Sequence, residues 1–325
     1  MQHLIESVLN QIESVVLGKP RECRLALACL LAKGHLLIED LPGMGKTTLA
    51  HQLAISLGLS YQRTQFTSDL LPSDVIGVSI FNQELKNFEL HKGPIFNQVV
   101  LADEINRASP KTQSALLEAM AENQVSIDGN TYNLPDPFFV IATQNPLFHS
   151  GTYPLPESQL DRFMMRLSLG FPDLKAEKKI LQANQDFSTN IHTNVLNPEQ
   201  LLEMQQAVQS ITVSSDVIDY VIALCQVSRY QYAMDKKLTQ NKAVLSSGLQ
   251  CNPLSPRAGK ALLAAAKAWA YIDDRDYVLP DDVQAVFYEV CQHRLEPQQF
   301  QPNQNEVFAA KQILGLVDVL NPLAY

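Results

Sequence analysis

The stretch from His35 to Leu49, HLLIEDLPGMGKTTL, constrains this chain more than any other. Leu36, Leu37 and Ile38, closed by Glu39, read as a short buried strand. Asp40-Leu41-Pro42-Gly43-Met44-Gly45 reads as a turn. Lys46-Thr47-Thr48 then opens a run whose apolar residues recur at helical spacing as far as Gly58. A strand, a glycine-containing loop and a helix beginning at Lys-Thr is the context a phosphate-binding loop needs. In such a loop, here Pro42, Gly43, Met44 and Gly45, glycines let backbone N–H groups turn inward around phosphate oxygens. The helix start, from Lys46 through Thr47 and Thr48, adds its positive dipole end. Lys46 would reach the β- and γ-phosphates, and the Thr47 hydroxyl would ligate Mg²⁺. The strict pattern G-x-x-x-x-G-K-[ST] is missed at its first position, where Asp40 stands. The tripeptide Gly45-Lys46-Thr47 alone is weak evidence; the strand and helix around it favour nucleotide binding over a bland strand–turn–helix.

Two later strands end on chemistry-bearing residues. Gln98-Val99-Val100-Leu101-Ala102 closes on Asp103-Glu104. Asp103 at a strand's carboxyl end can hold Mg²⁺ directly or through water, and Glu104 can orient and polarise an attacking water. Downstream of a phosphate loop, this pair points to hydrolysis of a nucleoside triphosphate. Phe138 to Thr143 is a third continuous apolar run, followed by Gln144-Asn145-Pro146. Continuous apolar strands alternating with helices predict a parallel sheet covered on both faces, with ligands at the carboxyl ends of its strands. That arrangement places Asn145 beside Lys46 and Glu104, where its amide could align the water or touch the γ-phosphate. Standing alone, it would read as an Asn closing a turn before proline.

The remaining elements follow from pattern. Residues 2–14 form a short amphipathic helix on Leu4, Ile5, Val8, Leu9 and Ile12, and Arg21–Lys33 forms a second. Val15–Pro20 between them reads as an interhelical turn. Tyr61–Phe66 is a strand, Val75–Ile80 with Phe88–Leu90 a small hairpin, and Glu104–Asn123 a helix. Val125–Leu134 is a hairpin about Asp128-Gly129-Asn130, and Met164–Leu169 the last short strand. Beyond Phe171-Pro172 nearly everything reads helical: Leu174–Asn184, Pro198–Gln209, Ser214–Ser228, Pro256–Ile272 and Asp281–His293. Met234–Asn252 is polar and ambiguous.

At 325 residues the chain is long enough for two domains and a large core. A formal net charge of −9 without a basic stripe argues against a primary nucleic-acid binder. Cys23, Cys29, Cys225, Cys251 and Cys291 are odd in number and lack a C-x-x-C pair, so they read as scattered reduced thiols. Neither a secretory signal nor an apolar run of ~18 residues is present, so a cytoplasmic protein without a membrane span is expected.

With these motifs, Asn145 and the Arg162 of Leu160-Asp161-Arg162-Phe163 in view, the sequence resembles the MoxR family of AAA+ ATPases. The resemblance is densest in IEDLPGMGKT, FTSDLLPSDVIG, LADEINRASPKTQSALLEAM, ATQNP, LPESQLDRF, SPRA and RDYVLPDDV. It implies an α/β P-loop NTPase fold over residues 1–171, a five-stranded parallel sheet with flanking helices. A smaller all-helical lid domain over 172–325 follows, and the whole assembles as a homo-oligomeric ring, usually hexameric. It implies ATP or ADP as ligand and Mg²⁺ on Thr47 and Asp103, and this family tolerates an acid at the position of Asp40. Asn145 matches sensor 1. Arg162 matches the arginine finger, which enters the next subunit's site, and Arg257 matches the lid's sensor-2 arginine, which closes over the γ-phosphate. Val15–Pro20, with Val16 and Gly18, matches the segment packed against adenine, which reverses the plain-turn reading. The hairpins near 75–90 and 125–134 match a helix-2 insert and a pre-sensor hairpin, which commonly face substrate or partner. From spacing alone Arg162 reads as a surface or salt-bridged arginine and Arg257 as a helix N-terminal residue without catalytic duty. Arg107 lies at a subunit interface or in a structural ion pair, and His149 and the cysteines read as structural.

The expected function is therefore Mg²⁺-dependent ATP hydrolysis driving chaperone-like remodelling or maturation of partner proteins, or metal-cofactor insertion. By resemblance, the expected partner contains a von Willebrand factor A domain. Two rivals stand beside it: a motor acting like the magnesium-chelatase ATPase subunit, and a nucleotide-gated scaffold that hydrolyses little. Intact Lys46, Glu104 and Arg162 argue against the scaffold.

Overall fold

Four consecutive buried residues, Leu36 to Glu39, form β1 (Leu36–Glu39) at the centre of the molecule. A strand buried on both sides needs neighbours on both edges and cover on both faces. A computed structural model describes residues 2–145, 152–182, 195–238, 251–296, 309–320 and 322. In it β1 pairs in parallel with β8 (Phe139–Gln144) on one edge and β9 (Met165–Leu167) on the other. β5 (Val99–Asp103) lies beyond β8, and β2 (Tyr61–Gln65) is the outer strand, giving the order β2-β5-β8-β1-β9. The expected five-stranded parallel sheet is present.

Strand side chains alternate between faces. Leu37, Val100, Ala102, Val140 and Ala142 pack with Leu116, Leu117 and Phe163 in one apolar cluster. Leu36, Ile38, Val99, Leu101, Phe139 and Ile141 pack into the other. The second cluster is shared by helices from both ends of the chain. It holds Ile5 and Val8 of α1 (Gln2–Val15), Leu27 of α2 (Pro20–Leu31) and Leu49 and Leu53 of α3 (Lys46–Ser56). Leu262 and Ala265 of α10 (Pro256–Ile272) and Phe287 and Val290 of α11 (Pro280–Leu295) belong to the same cluster.

Between β2 and β5 the chain makes α4 (Pro72–Ile76) and an antiparallel hairpin of β3 (Gly77–Asn82) and β4 (Asn87–Lys92). Pro72 at the first turn converts the expected start of a strand at Val75 into a short helix. The hairpin carries Phe81 edge-on to Phe88, both exposed. The helix expected from Glu104 starts later: Ile105–Arg107 is a 3₁₀ turn, and α5 (Pro110–Glu122) begins behind an N-cap at Ser109. Ser109-Pro110 is the stronger start signal, because the serine hydroxyl accepts the Thr112 N–H and proline needs no partner at the first position. The second hairpin, β6 (Gln124–Ile127) and β7 (Asn130–Asn133), turns on Asp128-Gly129.

The C-terminal half is helical: α6 (Glu157–Leu160) precedes β9, and α7 (Leu174–Gln182), α8 (Pro198–Ser210) and α9 (Ser215–Leu238) follow it, ahead of α10 and α11. α9 runs ten residues past the expected Ser228, into the segment expected to be ambiguous; residues 239–250 lie outside the described residues, as do Pro146 and His149. A last helix, α12 (Ala309–Leu316), was not expected from the sequence and covers the core through Ala309, Ala310 and Ile313. All five cysteines are buried. Among the described residues no helix is long and apolar enough to cross a membrane.

Candidate functional site

After β1 the backbone turns on two left-handed glycines, Gly43 at φ 83° and Gly45 at φ 84°. A Cβ at either would meet nothing within 4 Å. The loop of Pro42, Gly43, Met44 and Gly45 therefore has open space where converging N–H groups can hold an anion. Gly45 is the N-cap of α3 and Lys46 its first helical residue, so the positive end of the helix lies at this loop. Thr47 is half-buried and Thr48 exposed on the same turn.

Lys46 is buried. Its ammonium donates to the Asp40 carbonyl at 2.6 Å, to Asn145 Oδ1 at 2.8 Å and, at 3.4 Å, to the Gln144 carbonyl. Burial lowers its pKa, while the nearby charges of Asp40, Asp103, Glu104 and Glu39 act to raise it. The Asn145 amide donates in turn to Glu104 Oε1 at 3.0 Å. Asn145 thus bridges Lys46 and Glu104, the juxtaposition expected from three strand ends meeting at one edge.

Glu104 leaves β5 in the left-handed region, at φ 55° and ψ 48°. Its N–H donates to Thr143 Oγ1 at 2.9 Å, which helps hold a conformation that costs a non-glycine residue roughly 1–2 kcal/mol. Glu104 Oε2 accepts from Gln65 Nε2 at 2.9 Å and from Arg107 Nη1 at 2.8 Å. Asp103 Oδ1 accepts from Thr143 Oγ1 at 2.6 Å. Its Oδ2 accepts from Arg63 twice, from Nε at 3.0 Å and Nη2 at 2.6 Å. Asp40, almost fully buried, accepts the Gly170 N–H at 2.6 Å and the Ser168 hydroxyl at 3.2 Å. The acid that departs from the strict motif therefore ties the loop to the segment after β9.

Arg162 and Arg257 lie elsewhere. Arg162 donates to the Leu117 carbonyl at 2.9 Å, and Arg257 stands 3.7 Å from Asp161 Oδ2. Both line a cavity of about 640 Å³ with Gly34, His35, Phe138 and Phe139, residues at the amino ends of β1 and β8. The phosphate loop is at the carboxyl end of β1, roughly 13 Å away along its four residues alone. The fold brings Lys46, Asp103, Glu104 and Asn145 together and brings neither arginine to them; Arg257 does not close over the loop of its own chain. Val16 is buried, and Gly18 turns the chain between α1 and α2 against Ala176 of α7.

Comparison with known proteins agrees with this geometry. A sequence profile of the ATPase family associated with various cellular activities matches residues 35–165, and one of the AAA lid domain matches residues 252–313. A solved structure of a candidate ATPase from Cytophaga hutchinsonii superposes with a TM-score of 0.83 at 35% identity, covering 99% of this chain and 94% of that one. The uncharacterised protein YeaC of Bacillus subtilis is 45% identical over 90% of this chain and 87% of its own length. Chaperone MoxR1 of Mycobacterium tuberculosis is 37% identical over 90% of this chain and 76% of its own. The chain belongs to the MoxR family of AAA+ ATPases.

In this MoxR-family chain the donors fit a small hard cation. The Thr47 hydroxyl and the Asp103 carboxylate supply oxygen, the donor Mg²⁺ takes, and the Asp103 carboxylate is paired with Arg63. Arg63, Gln65 and Thr143 are the residues sequence reasoning missed. The alternation of Tyr61-Gln62-Arg63-Thr64-Gln65 puts Arg63 and Gln65 on one face, but only the pairing of Gln65 with Asp103 brings that face to the site.

Proposed function

We propose that this chain hydrolyses ATP with Mg²⁺ in a cytoplasmic homo-oligomeric ring, most simply a hexamer, and uses the cycle to remodel or mature a partner protein. The observation that carries the reading is the connected set Lys46–Asn145–Glu104 at the carboxyl ends of the strands, with Arg162 and Arg257 at the amino ends. One copy holds the loop, the water-activating acid and the polar sensor, and a neighbouring copy would supply the cations.

In the proposed cycle the loop N–H groups and Lys46 bind the phosphates, Lys46 exchanging its contacts to Asn145 and the Asp40 carbonyl for phosphate oxygens. Thr47 and Asp103 would hold Mg²⁺, which, when bound, offsets charge on the β- and γ-phosphates. Glu104 orients the attacking water and takes its proton, and Asn145 keeps Glu104 aimed at the γ-phosphate. Arg162 and Arg257 of the neighbour neutralise the charge that develops there. Val16 and Gly18 are proposed to border the adenine. The chaperone designation of the Mycobacterium tuberculosis relative supports remodelling as the work. A protein containing a von Willebrand factor A domain is the proposed partner.

The rate of ATP hydrolysis per subunit, followed across protein concentration, tests the reading. It should climb steeply and plateau, and Glu104→Gln should bind ATP while losing turnover by about 10²–10⁴-fold. A flat, appreciable rate at concentrations where sizing shows only monomer would mean a self-sufficient site and overturn the shared one. A wild type that binds ATP without hydrolysing it would leave the nucleotide-gated scaffold in its place.

A further inference from the structure

Asp103 is almost fully buried, and both of its oxygens are engaged. Oδ2 receives two N–H groups from one guanidinium, Nε at 3.0 Å and Nη2 at 2.6 Å, which fills both lone-pair directions of that atom. Oδ1 receives the Thr143 hydroxyl. A cation ligated by Oδ2 would need a lone pair that Arg63 occupies, and would meet a full positive charge at contact distance. Arg63 can withdraw: its side chain is 51% exposed on the outer strand of the sheet, so its alternative is water. Arg63 Nη2 also donates to Gln65 Oε1 at 3.0 Å, leaving the Gln65 amide nitrogen facing Glu104 Oε2.

Resting on the Mg²⁺–nucleotide reading above, we propose that Arg63 competes with the divalent cation for Asp103 and so sets the Mg²⁺ concentration at which the site loads. When Arg63 swings out, Gln65 loses the contact that orients it, and Glu104 loses the support of one of its donors. Arg63 is thereby a positioning residue: it acts through Asp103 and Gln65 and does not touch the reacting atoms.

Binding of a fluorescent ADP analogue to the full-length chain, titrated with Mg²⁺, tests this without turnover. Arg63→Gln should lower the Mg²⁺ midpoint roughly fivefold, the upper range for losing one half-exposed charge pair. Affinity in EDTA should stay within about twofold, because that pair does not involve the loop's anion contacts. Arg63→Lys, which keeps the charge but not the two-pronged contact, should fall between Arg63→Gln and wild type. A midpoint that rises in Arg63→Gln would make Arg63 a buttress of Asp103, and coincident midpoints would leave it without a role in loading; either overturns the proposal. A fall in EDTA affinity would assign Arg63 to the phosphates and overturn it too. Wild type failing to bind in either buffer would remove the nucleotide reading itself, whereas normal wild-type binding with unmoved midpoints would remove this inference alone.

Discussion

Asp40 stands where a strict phosphate loop has glycine, yet its carboxylate is spoken for by the Gly170 N–H and the Ser168 hydroxyl. Restoring the motif with Asp40→Gly would leave a partly buried N–H without its acceptor and loosen the backbone ahead of Lys46. Stability should fall by about 2–3 kcal/mol, read as a lower urea midpoint. An unchanged midpoint would mean that Gly170 and Ser168 find other partners. At this scale the sequence was most legible where one residue's chemistry needs one place: Lys46 on the first turn of α3, Asp103 and Glu104 at a strand end, Asn145 between them. It was least legible for Arg63, because an arginine on a polar outer strand has the same local signature as a solvated face.

Among elements, the fully apolar strands announced themselves, while helix starts depended on caps. Ser109 and Pro110 outweigh the apolar spacing that runs on from Glu104, and that leaves Glu104 free to take its left-handed turn. α11 shows a relation no periodicity contains. Its His293 is fully buried and donates through Nε2 to the Phe163 carbonyl at 3.2 Å, directly beside the segment that carries Arg162. Burial, then the charges of Arg294 and Arg166, hold its pKa well below the usual range, so it is neutral in the fold. The unfolded chain takes up that proton near pH 6.5. Below that value the unfolded state holds the extra proton, and stability falls with pH by up to ~1.4 kcal/mol per unit. Urea unfolding at pH 7.5, 6.5 and 5.5 should show a shallower loss for His293→Gln, which keeps an N–H donor and cannot titrate. Parallel curves for wild type and variant would show that His293 does not contribute to the acid sensitivity.

For the whole molecule, the decisive fact is that the two arginines and the phosphate loop lie at opposite ends of the strands of one sheet. Pattern could not supply it, since the position of the helical half against the sheet is set by a shared apolar core and by Arg294 gripping Asp161 at 2.7 Å. On the proposed function, Arg162→Ala should retain nucleotide affinity and lose turnover by about 10³-fold or more. Mixed in small amounts into wild type, it should depress activity more steeply than dilution does. A loss strictly proportional to the mixing ratio would refute action across an interface.

The position of β1 also bears on how the chain is made. Both of its partners, β8 and β9, come much later in the sequence, so the strand that carries the phosphate loop leaves the ribosome with neither edge covered. At ~5–20 residues per second, β1 waits on the order of ten seconds before Met165 emerges to complete its pairing. Until then an apolar segment with two open edges is exposed to every other nascent chain nearby, and synthesis rate, as much as final stability, governs the yield of folded protein.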